Sequence, residues 1–138
     1  MLCVTTYDRS YVDDCRSKID SQVSAYRTLA STAKGADAAL EAFEPVFFNN
    51  LVLALDNYFV HRSRTLELKD GNPLNEVRVL CSSMMNNDGI VAEDKQIKLN
   101  PATSVLKHQV GDRVELSQQD FMQVSEAFFA EIEKKFVH

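Results

Sequence analysis

Four glycines and three prolines are all the chain breakers in 138 residues. Glycine and proline end helices and turn hairpins, so a chain this poor in them is committed to a few long elements. Long elements favour helices over many short strands. From about Asp8 to Thr32, Val12, Cys15, Ile19, Val23, Tyr26 and Ala30 recur at steps of three and four, which is one apolar stripe of a helix, and Lys34-Gly35 reads as its stop. Asp37 can cap a second helical segment, Ala38 to Phe43, after which Pro45 either kinks a continuous helix or opens a new one.

The spacing predicts a central helix from Val46 to about Leu68. Its broad apolar face holds Phe47, Phe48, Leu51, Val52, Leu55, Tyr58, Phe59 and Leu66, and Val46, Leu53 and Val60 add apolar area opposite. A helix apolar on more than one side is buried by several neighbours or by a second subunit. Gly71 ends it. Asn72 caps the next helix with Pro73 at its first position and Glu76 in its first turn, and Asn86-Asn87-Asp88-Gly89 stops that helix. From Ile90 to Leu116 the pattern changes: Ile97-Lys98-Leu99 and Arg113-Val114-Glu115-Leu116 alternate, with Pro101 and Gly111-Asp112 between them, which reads as a small antiparallel β unit. Ser117 with Asp120 marks an N-cap, and the last helix runs from Gln118 to about Phe136 with Phe121, Val124, Phe128, Ile132 and Phe136 as its stripe. The expected fold is one mainly α domain over residues 1–138: a bundle of four principal helices with a small β hairpin inserted before the C-terminal helix. A chain of this size buries roughly two-thirds of its unfolded surface and needs no metal or disulfide staple.

Net charge is -5 with a pI near 5.1, which argues against a nucleic-acid partner, because neutralising phosphates takes a basic surface. Cys3, Cys15 and Cys81 are odd in number and widely separated, without a CxxC pair, so they fit reduced thiols of a cytoplasmic protein better than a disulfide framework or a zinc site. Cys15 and Cys81 read as small buried hydrophobes, with a nucleophilic Cys81 the sharper alternative. The N-terminus lacks a charged n-region and an apolar h-region, and the uncharged run Pro45 to Leu55 is too short for a bilayer, so no membrane partner is expected.

The densest polar cluster follows the apolar stretch. By helical angle Arg62 falls in the middle of the face built from Phe48, Leu51, Leu55, Tyr58 and Leu66, where a guanidinium needs a carboxylate, backbone carbonyls or a bound anion. His61, Arg62, Arg64, Lys69 and Arg78 gather near the helix start at Asn72 to Asn75, whose free N–H groups favour an anion. Glu67, Asp70 and Glu76 lie in the same stretch and can neutralise every one of these cations internally. Asp56 interrupts the apolar run and can line a polar pocket, pair with a cation or face solvent. No HxxxH, HExxH or ExxH pair, Gly-rich loop, GxSxG elbow or Walker pattern occurs, so neither a metal nor a cofactor is expected, and His61 has no spaced acid to make it a general base.

The block from Phe47-Phe48-Asn49 through Tyr58-Phe59-Val60-His61-Arg62, with Lys69-Asp70-Gly71-Asn72-Pro73-Leu74-Asn75-Glu76-Val77-Arg78 and Ala127-Phe128-Phe129-Ala130-Glu131-Ile132, resembles an uncharacterised family of small actinobacterial proteins. The resemblance implies a compact bacterial intracellular domain and assigns no catalytic residue. Two functions are therefore expected in order: a non-enzymatic structural or interaction domain that forms a homodimer or higher homo-oligomer, and a small-molecule binder or enzyme that holds an anionic ligand through His61, Arg62, Arg64, Asn72, Asn75, Arg78 and Asp56.

Overall fold

The computed structural model describes residues 3–138. It is mainly helical: α1 (Arg9–Thr32), α2 (Asp37–Tyr58), a single turn α3 (Arg64–Glu67), α4 (Pro73–Asn86) and α5 (Gln118–Phe136). α5 touches every other helix and packs with α2 at the centre, while α1 and α4 flank that pair. Between them lies an aromatic core. Six of the eight phenylalanines are buried: Phe48, Phe59, Phe121, Phe128, Phe129 and Phe136. Phe59 is its hub, edge-on to Tyr7 at 5.0 Å and to Phe129 at 6.0 Å between ring centroids. Such tilted and edge-to-face pairs add to the area term because the ring edge is positive and the face negative.

The helix limits that carry local caps fall where the sequence puts them. Asn72 Oδ1 accepts from the backbone N–H groups of Leu74 and Asn75, with Pro73 next to it where a missing N–H costs nothing. Ser117 and Asp120 form a reciprocal capping box at the start of α5. Pro45 lies inside α2 and does not end it, so residues 37–58 form one helix.

The central helix does not reach Leu68. It stops at Tyr58, and residues 59–63 turn away. The cause is distant in sequence. Val4 makes a parallel bridge with Arg62, donating to the His61 carbonyl at 2.8 Å and accepting from Ser63 N–H at 2.8 Å. These bonds replace the i→i−4 partners that a continuing helix would supply.

The β hairpin is absent: residues 90–116 hold no strand, only the isolated antiparallel bridge between Ile90 and Arg113. The alternation is real, since Val114 and Leu116 are buried while Arg113 and Glu115 are exposed, but the backbone pairing is confined to that bridge, where Val114 N–H donates to the Gly89 carbonyl at 2.7 Å and Val91 N–H to the Asp112 carbonyl at 2.8 Å. Beyond the bridge, side chains carried on helices supply the backbone partners. The Asn49 amide donates to the Val114 carbonyl at 2.8 Å and accepts from Leu116 N–H at 3.0 Å. The buried Glu76 carboxylate accepts from Val105 and Leu106 N–H at 2.8 and 2.9 Å. Ser83 accepts from Ala92 N–H and Glu44 from Gln118 N–H. Backbone groups need partners, not a particular kind of partner.

Candidate functional site

The break after Tyr58 turns Arg62 inward by a route that helical periodicity does not describe. Its side chain is fully buried, and the residue as a whole is 2 % exposed. Nε donates to Glu67 Oε1 at 2.9 Å, Nη1 to Asp56 Oδ1 at 2.9 Å and to the Phe59 carbonyl at 3.1 Å, and Nη2 to the Leu74 carbonyl at 3.3 Å. The guanidinium carbon lies 5.4 Å from the centroid of the Phe128 ring, on which the cation rests.

Glu67, at the end of α3, is 0 % exposed. Besides Arg62 it accepts from Arg78 Nη2 at 2.6 Å, Arg78 Nε at 3.1 Å and Asn75 Nδ2 at 2.8 Å. Its backbone carbonyl accepts from Asn72 Nδ2 and from Lys135 Nζ of α5. Burial alone pushes the Glu67 carboxyl up. The Arg78 hydrogen bonds, the charges of Arg62 and Arg78, and the Asn75 amide outweigh that and hold it below the usual carboxylate range. For Arg78, burial pushes downward, and the Glu67 carboxylate more than reverses it.

A carboxyl held below its unfolded value stabilises the fold fully above the ordinary glutamate range, and the contribution disappears as pH falls through the folded value. Wild-type stability should therefore drop as pH goes below about 4.3, the ordinary glutamate value. The decline should be shallower in Glu67→Gln. Urea midpoints collected from pH 6 to 3 test this; parallel curves for the two proteins would remove Glu67 as the source.

Of the residues expected at a site, Asp56, Arg62, Asn72, Asn75 and Arg78 converge here around Glu67. His61 and Arg64 do not join them: both are exposed, with His61 in a shallow cleft beside Tyr7, Tyr11 and Tyr58. Glu67 is the organising residue. It was visible beforehand only as a potential neutraliser, because nothing local shows that α3 would turn it inside. Asp56 reaches Arg62 across the helix break, a contact that a continuous helix would not make. With Asp56 and Glu67 negative and Arg62 and Arg78 positive, the ion pairs cancel.

A strained backbone closes this network. Leu68 sits at φ 68, ψ −179, a region that is nearly exclusive to glycine, while its side chain is 50 % exposed. Leu68 N–H donates to the Arg64 carbonyl at 3.1 Å and its carbonyl accepts from Asn75 Nδ2 at 2.9 Å, so the conformation is imposed from both sides. Leu68→Gly should raise stability by about 1 kcal/mol, the strain released less the entropy glycine adds to the unfolded chain. A urea midpoint below that of the wild type would contradict this.

The nucleophilic alternative for Cys81 fails on its surroundings. The thiol is buried, burial pushes its pKa well up, and Sγ has only a weak contact to the Val52 carbonyl at 3.7 Å. Among the described residues no three His, Cys, Asp or Glu side chains come together as a metal site. A cleft of about 430 Å³ lies under the irregular segment, lined by Val79, Val91, Ile97, Leu99, His108 and Val110 among others, and includes none of the residues expected at a site. Comparison with protein-family models, curated proteins and solved structures finds no significant match to this chain.

Proposed function

We propose that this chain is a non-enzymatic interaction domain that works by associating with itself. One contrast carries the reading: the charged side chains most suggestive of a site are paired with one another in the interior, while the most apolar helix, α2, leaves much of its apolar surface uncovered. Only Phe48, Leu51, Val52 and Leu55 of α2 are buried, and Phe43 and Val46 are 42 % and 56 % exposed. Uncovered apolar area of this kind on one element is the mark of a partner surface. The resemblance to small actinobacterial proteins without an assigned activity is compatible with a cytoplasmic bacterial domain of this sort and adds no chemistry to it.

Sedimentation equilibrium at tens of micromolar should give a mass at least twice the 15.6 kDa of the chain. A strict monomer there would overturn the reading. The anion-binding alternative loses its main cation, because Arg62 is already engaged by Glu67, Asp56 and two carbonyls. Prising it loose would leave Glu67 and Asp56 short of a partner in a buried setting, which costs more than a surface anion returns.

A further inference from the structure

We infer that the partner is a second copy of this chain, seated antiparallel along the outer face of α2 with a two-fold axis near Val46. The inference rests on the self-association proposed above and specifies its surface.

No residue from Arg27 to Phe47 is buried, although α1 runs on to Thr32 and α2 starts at Asp37. The end of α1 and the start of α2 therefore form an arm whose outer faces nothing in the chain covers. The arm has an area consequence. The folded chain exposes 8046 Å². A compact monomer of 15.6 kDa exposes about 7,250 Å². The surplus of about 800 Å², summed over the whole chain, matches in size what one partner contributes to a standard interface.

The uncovered face also has the period of a helix seam. Ala39, Phe43, Val46, Asn50 and Leu53 follow one another at steps of four, three, four and three; none of them is buried, though Leu53 is half-buried and Phe43 leans on Tyr26. That 3.5-residue repeat is what a helix presents to another helix, with a single polar residue in the seam to set register. Asn50 satisfies one amide hydrogen on the Val46 carbonyl at 2.8 Å, and its second amide hydrogen and Oδ1 take partners from water at the edge of the seam. Reversing one copy about Val46 sets Ala39 against Leu53 and Phe43 against Asn50, so the stripe complements itself, as an isologous contact requires. Pro45, Val46, Leu53 and Met84 line a groove of about 530 Å³ beside the stripe, and Met84 extends the apolar strip onto α4.

α2 is also the one described helix long and apolar enough to cross a membrane. Its polar groups are tied into the fold, however: Glu44 holds Gln118 N–H, Asn49 holds the 114–116 backbone and Asp56 holds Arg62. Insertion in a bilayer would break all three, whereas a second copy breaks none.

The experiment uses the full chain with Cys3→Ser, since Cys3 is the exposed thiol and Cys15 and Cys81 are buried. In that background Val46→Cys should form a disulfide-linked dimer under mild oxidation, because a two-fold axis brings the same residue of both copies together. Val110→Cys, an exposed residue lining the other cleft, should not. Separately, Val46→Glu should weaken dimerisation about a hundredfold by sedimentation, because two carboxylates meet at the axis, while Val110→Glu leaves it unchanged. A dimer that survives Val46→Glu and yields no Val46→Cys cross-link overturns this surface and leaves self-association standing. A wild-type monomer overturns both. Flotation of the wild type with phosphatidylcholine vesicles, without a dimer in water, would assign the face to lipid and overturn the inference.

Discussion

Glu67→Ala should lose about 3–5 kcal/mol of folding stability, the range measured when one partner of a buried ion pair is removed. That is a large part of the 5–15 kcal/mol that holds a typical domain. The reason is not the loss of attraction alone. Glu67 accepts from Arg62 Nε, Arg78 Nε and Nη2, and Asn75 Nδ2, so truncation leaves these donors short of an acceptor at once, with Arg62 and Asn75 buried and Arg78 partly open to water. Arg62 would keep only Asp56 as counter-charge, and Asp56 is the more exposed of its two carboxylates. Glu67→Gln should lose less than Glu67→Ala, since its amide oxygen retains one acceptor. Chemical denaturation of the two variants tests the order as well as the size. A loss under about 1 kcal/mol for Glu67→Ala would mean that the network is no stronger than a surface pair.

Gly71→Ala should cost about 3 kcal/mol, combining the left-handed backbone penalty with a forced displacement of neighbouring chain. Gly71 has φ +89, and a Cβ there would lie 2.5 Å from the Lys98 carbonyl oxygen and 3.3 Å from its carbon. The obstacle is backbone, held by the Lys98 N–H bond to the Lys69 carbonyl at 3.2 Å, so it cannot swing aside as a side chain would. Gly35 supplies the control. Its φ is +74, but nothing lies within 4 Å of the added Cβ, so Gly35→Ala should show only the backbone part, about 1–2 kcal/mol. Equal losses at the two glycines would refute the close approach of the 98–99 segment to the turn before α4.

The elements that could be read in advance are those whose signals are local. α1, α4 and α5 each carry an apolar stripe, and the caps of the last two lie within a few residues of the first turn: Asn72 and Pro73 for α4, Ser117 and Asp120 for α5. The break at Tyr58 had no such signal, because the segment 59–63 is helix-compatible and is held away from the helix by Val4, nearly sixty residues away, and by the Tyr11 hydroxyl on the Tyr58 carbonyl. Asp56, Arg62, Asn72, Asn75 and Arg78 of the buried network were in view as candidates and Glu67 as a neutraliser, yet their arrangement was not, and Lys135 gave no signal. Periodicity through a helix that does not continue puts Arg62 and Asp56 on separate faces, and the break is what lets them meet.

The same limit explains the missing hairpin. Alternation of apolar and polar residues reports which side chains face the core, and Val114 and Leu116 do face it. It cannot report what satisfies the backbone, and here Asn49 and Glu76 do so from helices distant in the chain. What the amino-acid order settles unaided in this protein is the number of principal helices, the limits of α1, α4 and α5, and the buried faces of α1 and α5, because propensity, capping and the 3.6-residue repeat act within one or two turns. What the tertiary structure alone decides is where α2 stops, how the Arg62–Glu67 centre is neutralised and which face of α2 stays uncovered. Each of these depends on atoms brought together from distant parts of the chain, and such pairings leave no trace in local spacing.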